Sequence, residues 1–291
     1  MSDFLRVANV TIKDRKFTVR TAFHVEKMLN EISSPTMPNA KLMLYNLSPQ
    51  SRSFIESNVG ANSKATVRLD VGYALGKVSL LFLGQVTRPT TKREGPDLIS
   101  TLECNSNGLD VATSYLDISL DTEVNGDKII DLCVNALGLK WGVVYSCSSV
   151  VFKHGFCWAD QAWKCLQYIA HEAGMVAHND NGVLNITPHN LGTGEPVVLL
   201  NKNTGLINFP SKTVDVTGLE GMTDIYMAES LVNPMLSPGR YVQIESSELT
   251  LPSRLVVRKA THEGDSKEGA WMSTIECTVP GAELVARPRR K

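Results

Sequence analysis

The chain is 291 residues long, 43% hydrophobic and 20% charged, with a formal net charge of −1. That length suffices for two or more domains and a well-buried core, and the near-neutral balance leaves no global field favouring nucleic acid or an acidic membrane. No apolar run approaches the length of a membrane span, and MSDFLRVANV lacks the apolar segment behind a basic start that a signal peptide needs. The six cysteines, Cys104, Cys133, Cys147, Cys157, Cys165 and Cys277, are scattered with no C-x-x-C pair. Several sit inside apolar patterns, as reduced thiols do, which fits a chain made in a reducing cytosol. The basic stretch Arg287-Pro-Arg-Arg-Lys291 reads as a solvated terminus.

The opening region reads as β. LRVANVTI joins KFTVRTAFHVEK through the turn Lys13-Asp14-Arg15-Lys16. The second run alternates, with Phe17, Val19, Thr21, Phe23 and Val25 on one face and Lys16, Thr18, Arg20, His24 and Glu26 on the other. After the loop SSPTMPNA, KLMLYNL (41–47) is a further strand. Ser48 suits a helix N-cap, Pro49 the first helical position and Gly60 the stop. TVRLDVGY (66–73), SLLFLGQVTR (79–88) and LISTLECNS (98–106) complete the region as strands, the last two separated by a charged loop containing Lys92, Arg93 and Glu94.

The middle region changes period. In NGDKIIDLCVNALG the residues Ile129, Ile130, Cys133, Val134 and Leu137 have helical spacing, with Gly138 as terminator. CWADQAWKCLQYIAHEAG repeats this with Trp158, Ala162, Cys165, Leu166, Ile169 and Ala173, ending at Gly174, so Trp158 is expected on a helix's apolar stripe. Asn181-Gly182 within MVAHNDNGVLNIT suits a type I′ hairpin turn. The closing region returns to β, with strands expected at EPVVLLN (195–201), MTDIYMAE (222–229), RYVQIES (240–246), SRLVVRKATH (253–262) and AWMSTIECTV (270–279).

Two β regions thus flank the middle one, and they share a pentapeptide: STLEC at 100–104 and STIEC at 273–277. Each closes a series of three strands, and each is preceded by a charged loop, PTTKREGPD and EGDSKEG. This points to two copies of one β-barrel or sandwich around an α+β insertion. It also bears on His262, Glu263 and Asp265, which resemble an acid–base cluster. In the repeat they fall on an exposed hairpin loop with no fixed third partner, whereas a general base needs a perturbed pKa and an orienting group.

Other chemistry finds little footing. His154 and Cys157, with His171, His178 and His189 downstream, form neither a C-x-x-C nor an H-E-x-x-H pattern, and His171 falls on a polar helix face. Asp127 and Asp131 share one helix face beside Lys128, as a solvated surface does. Gly72 and Gly76 with Lys77 lack the strand–loop–helix setting of a phosphate loop, and there is no G-x-S-x-G elbow. No catalytic or metal site and no cofactor is expected.

The order LMLYNLSPQSRSFIES, VRLDVGY, LLFLGQVTR and DLISTLEC resembles the opening of the bacteriophage tail and baseplate hub family, akin to the hub part of secretion-system spike proteins. The residues that carry it are Tyr45-Asn46-Leu47-Ser48, Gly72-Tyr73 and Phe82-Leu83-Gly84. The middle stretches 125–139 and 158–188, with LSPGRYVQIES and THEGDSKEGAWMSTIEC after them, are similar to the family's inserted domain and closing barrel.

The resemblance implies a mainly β fold: a first β-barrel at 1–108, an α+β domain at 109–192, a second barrel at 193–286 and the basic tail at 287–291. It implies a non-enzymatic homotrimer whose six similar units join a six-fold tail tube to a three-fold central spike and let DNA and tape-measure protein pass. Other baseplate proteins are implied partners; a membrane and sequence-specific nucleic acid are not. The place implied is the virion tail, assembled in the host cytoplasm. Lys92, Arg93, Glu94, Glu263, Asp265 and Lys267 are the candidate ring or tube contacts. A cell-wall hydrolase or glycan-binding module of a tail tip, using exposed tryptophans or the His262–Asp265 loop, is the alternative reading, and a scaffold unrelated to phages is a third.

Overall fold

A computed structural model describes residues 5–29, 38–59, 65–106, 114–188, 191–194, 196–215, 223–247 and 249–281. Gly60, His189, Glu195, Met222 and the basic tail lie outside them. The first stretch of chain builds β1 (Arg6–Ile12), β2 (Arg15–Phe17), β3 (Thr21–Met28), β4 (Asn39–Tyr45), helix α1 (Pro49–Asn58), β5 (Thr66–Tyr73), β6 (Ser79–Glu94) and β7 (Asp97–Asn105). The middle contributes β8 (Tyr115–Leu120), β9 (Val124–Asn125), α2 (Gly126–Leu137), β10 (Lys140–Val144), β11 (Val151–Phe152), β12 (Phe156–Gln161), α3 (Ala162–Glu172), β13 (Met175–Asp180) and β14 (Val183–Pro188). The last part adds β15 (Val198–Leu200), β16 (Ser211–Asp215), β17 (Thr223–Leu231), β18 (Tyr241–Ile244), β19 (Leu255–Asp265) and β20 (Trp271–Thr278).

Local chemistry sets many of these limits. Ser48 Oγ accepts the Ser51 N–H at 3.2 Å and Pro49 begins α1, as a capped helix start requires. α2 buries Ile129, Ile130, Cys133, Val134 and Leu137 and stops at Gly138, whose φ of 65° is left-handed. Asn181 and Gly182 turn the β13–β14 hairpin with φ of 54° and 85°, the conformation a type I′ turn demands.

Elsewhere strands run where other structure was expected. Residues 156–161 pair with β8 as β12, so Trp158 lies on a strand and α3 starts only at Ala162. Trp158 still packs on the middle core, stacked between Phe156 and Tyr168 with centroids 6.2 and 5.9 Å away. The run 16–27 breaks after Phe17 and resumes at Thr21. The two charged loops are largely strand. β6 continues to Glu94 and β19 to Asp265, because each pairs with its hairpin partner almost to the turn. Lys92, Arg93, Glu94, Glu263 and Asp265 are therefore strand residues, and of the six candidates only Lys267 is in a turn.

Buried apolar side chains gather in three clusters: one on β1–β7 with α1, one on the middle elements, and one on β15–β20. The first and last sets pair in the same order. β3-β4-β7-β6-β5-β1 is one path and β16-β17-β20-β19-β18-β15 the other. They differ at the final step, where β1 meets β5 antiparallel and β15 meets β18 parallel. The pentapeptides occupy like registers. Cys104 faces Val86 and Glu103 faces Arg88, with Thr87 bulged out; Cys277 faces Val257 and Glu276 faces Lys259, with Arg258 bulged out. β3 and β19 join the two sets into one 13-stranded sheet.

Candidate functional site

The junction between the two sets carries polar side chains on both faces. β3 and β19 run antiparallel from Met28 opposite Lys259 to Ala22 opposite Asp265. Alternation along the strands separates a charged face from a buried one. On the charged face Lys259 meets Glu26 at 2.7 Å, His24 meets Glu263 at 2.8 Å and Arg20 meets Asp265 at 2.8 Å. Arg20 also reaches Glu268 at 2.8 Å, and the Lys267 N–H donates to Asp265 Oδ1 at 2.9 Å. Glu26 is held below its usual pKa by the hydrogen bond from Lys259. Asp265 also lies below its usual range: burial opposes its charge, but Arg20 and the turn amides outweigh that.

The buried face is built around Gly264. A Cβ there would stand 2.5 Å from Phe23 Cζ and 2.7 Å from Trp271 Cε3, so only glycine lets the two rings close edge to face at 5.5 Å. His262 is fully buried, its Nδ1 at 2.8 Å from Ser273 Oγ. Burial, with the Lys27 charge nearby, pushes its pKa down to about 3. Lys27, 2% exposed, donates to Asp180 Oδ1 at 2.9 Å and to Ser237 Oγ at 3.0 Å. Asp180 stays below its usual pKa because Lys27 more than offsets its burial. Burial takes the neighbouring His178 down to about 4. One buried ammonium thus ties β3 to the tip of β13 and to the segment before β18.

His262, Glu263 and Asp265 do not converge: His262 points into the sheet's core, Glu263 to His24 and Asp265 to Arg20. This corrects the expectation of an exposed loop without partners. The physical reason is that β19 has a second neighbour, β3, which the three-strand repeat did not include. Among the described residues no group of three or more His, Cys, Asp or Glu could hold a metal ion. No described helix is long and apolar enough to cross a membrane.

The counterparts of β19 and β3 in the other set are β6 and β16, and among the described residues no strand pairs with β6 beyond β5 and β7 or with the outer edge of β16. β6 is exposed at Arg88, Thr90, Thr91, Lys92, Arg93 and Glu94, whereas β19 is buried at Ala260, His262 and Gly264. β16 is exposed from Ser211 to Val214, whereas β3 is buried at Phe23, Val25 and Lys27. Ile207, Phe209 and Val214 on and beside β16 are large apolar side chains left 46%, 68% and 45% exposed. Sequence reasoning missed β16: SKTVD is short and polar, and its one signal was the alternation of Thr213 with its neighbours.

Solved structures with this architecture include phage tail proteins. A 43 kDa tail protein of prophage MuSo2 from Shewanella oneidensis superposes with a TM-score of 0.66 at 10% identity, over 94% of this chain and 96% of that one. The tail protein of Neisseria meningitidis MC58 gives 0.66 at 6% identity, over 94% and 97%. The chain has the fold of phage tail proteins. The same fold extends to an Escherichia coli component of the type VI secretion system with structural similarity to the T4 phage tail proteins gp27 and gp5, at a TM-score of 0.63 and 11% identity over 97% and 79%. No family model and no curated protein matches the sequence. In this tail-protein fold the six candidate contact residues divide between the bare edge (Lys92, Arg93, Glu94) and the filled junction (Glu263, Asp265, Lys267).

Proposed function

We propose that the protein is a structural hub of a phage or phage-like tail. In this reading it is a homotrimer in which each chain supplies two like β units, at 1–108 and 193–286, separated by the α+β domain at 109–192. Three chains then present six similar surfaces to a six-fold tube on one side and a three-fold platform to a spike on the other. The symmetry mismatch is absorbed inside the chain by duplication, so no strand edge has to be left unpaired at either ring. The lumen passes DNA and tape-measure protein, and other baseplate proteins dock outside. The role is assembly and not catalysis, carried out in the virion tail after assembly in the host cytoplasm.

The observation that carries this reading is the repeated strand order with its repeated bulge, set in a fold otherwise seen in tail proteins and a secretion-system component. The His262 ring, buried and bonded to Ser273, offers a hydrolase no accessible base, which counts against the cell-wall alternative. Mass measurement in solution, followed by imaging with tube and spike proteins added, tests the proposal. A trimer, or a three-copy ring at the end of a tube, is expected; a chain that stays monomeric and binds neither partner would overturn it.

A further inference from the structure

The β3–β19 junction is one half of a pattern whose other half is unfilled among the described residues. β6 matches β19 residue for residue past the bulge, so Arg88 takes the place of Lys259, Thr90 of Thr261 and Thr91 of His262. Ala40 and Tyr226 both face the cysteine of the pentapeptide, and they pair with Val25 and Lys212. Lys212 therefore stands where Val25 stands, Thr213 where Glu26 does and Val214 where Lys27 does. We infer that β6 of one chain pairs antiparallel with β16 of a second copy, with Thr91 opposite Lys212 and Thr90 opposite Thr213. This would repeat between chains the seam that β19 and β3 make within one.

The backbone chemistry of the inner seam fixes what the outer one can form. Leu29 N–H donates to Arg258 O at 2.8 Å and Ser266 N–H to Thr21 O at 2.9 Å. Residues opposite one another at Lys27 and Val25 are therefore the hydrogen-bonded pairs of that ladder, and Glu26 opposite Thr261 is a non-hydrogen-bonded one. Carried across, Val214 N–H donates to the Pro89 carbonyl, Thr91 and Lys212 exchange both bonds, and Arg93 N–H donates to the Pro210 carbonyl. Pro89 and Pro210 each withhold a donor, so this seam is weaker than the inner one. Proline and the charges of Arg88, Lys92 and Arg93 also keep a bare edge from pairing indiscriminately in the free chain. The exposed Ile207, Phe209 and Val214 supply the apolar surface that such an edge would cover.

The occupant is a second copy because the surface that matches β6 is present on the chain itself. The contact is head-to-tail, β6 to β16, and such a contact closes into a ring when its rotation allows. The inference rests on the hub reading for the number of copies in that ring. To test it, Cys157, the one exposed free cysteine among the described residues, is replaced by serine, and Thr90→Cys is combined with Thr213→Cys. Non-hydrogen-bonded antiparallel pairs bring Cα atoms to about 4.5 Å, within disulfide reach. Mild oxidation is expected to give reducible multimers ending at three copies, while the off-register pair Thr90→Cys with Val214→Cys gives at least tenfold less. Val214→Pro deletes an edge-facing N–H and spares the β16–β17 ladder; it is expected to shift the chain to monomer with its unfolding temperature nearly unchanged. Trimers that neither cross-link at 90 and 213 nor respond to Val214→Pro would overturn this pairing and leave the hub reading standing. Cross-linking that ends at two copies supports the pairing and overturns the trimer. A chain monomeric under every condition, tube and spike proteins included, overturns both.

Discussion

Lys27 is the side chain on which the junction's polar interior depends. Its ammonium is 2% exposed and is answered by Asp180 and Ser237. Lys27→Met removes the ammonium from the pair and leaves the part-buried Asp180 carboxylate with a hydrogen bond from Asn181 Nδ2, a loss of up to about 3 kcal/mol. Replacing both partners with apolar residues is expected to recover most of it; urea unfolding of the two singles and the double measures the difference as a mutant cycle. The buried histidines add a pH dependence of definite sign. His178 and His262 are held neutral by burial, at about 4 and about 3 against an ordinary 6.5. Below pH 6.5 the unfolded chain therefore binds more protons than the folded one, and stability falls as pH drops. His178 alone should account for roughly 3 kcal/mol by pH 4, its shift converted at about 1.4 kcal/mol per unit. The lowered carboxyls of Asp180 and Asp265 act in the same direction at lower pH, their contribution being lost as each is protonated. The melting temperature is expected to fall from pH 6.5 to 4, with a shallower slope in His178→Leu; a flat profile in the parent chain would contradict the burial of these rings. Gly264→Ala tests the packed face, where a Cβ 2.5 Å from Phe23 forces the rings apart. Overpacking of this kind costs about 1–3 kcal/mol, a fall of several degrees in melting temperature.

At the level of elements, register is what the two halves share and what is easiest to break. The bulge at Arg258 lets Ala260, His262 and Gly264 face the core after Val257 has done so. Inserting one alanine between Thr261 and His262 shifts the end of β19 by one residue against β20 and exchanges its faces, sending Glu263 and Asp265 inward. The expected outcome is loss of soluble protein or a melting temperature lower by more than about 5 °C; an insertion variant that melts like the parent would show that the register is not specified there. Much of this level was legible in the sequence. Ser48-Pro49, Gly138 and Asn181-Gly182 gave α1, α2 and the β13–β14 turn because their signals are local: a cap, a terminator and two left-handed residues. The shared pentapeptide pointed to corresponding strands. What escaped has a common cause. β12 reads as the first turn of a helix because Trp158 and Ala162 have helical spacing, and only its pairing with β8 makes it a strand. The ends of β6 and β19 read as loops because their charges face solvent or an ionic partner. Glu263 and Asp265 look idle in the sequence since His24 and Arg20, which answer them, are more than 230 positions away.

At the scale of the whole molecule the question is how the middle unit is tied to the sheet that carries it. It has its own core, from Leu116 to Ile186, and meets the rest at the β13–β14 tip. Asp180 there takes the Lys27 ammonium, and Asn181 Oδ1 accepts the Leu83 N–H of β6 at 2.8 Å. These two bonds bring the insertion onto both β3 and β6, the first of which lies in the filled junction. The tether is short and polar, and it lies next to the β3–β19 seam. Asn181→Gly separates the tether from the turn. Glycine adopts the positive φ of this position freely, so the hairpin should form while the Leu83 bond is lost. Hydrogen exchange is expected to show faster exchange at Leu83 and the adjoining β6 amides, with α2 and α3 as protected as before. Accelerated exchange throughout α2 and α3 would mean that the middle unit draws its stability from the sheet and does not fold on a core of its own.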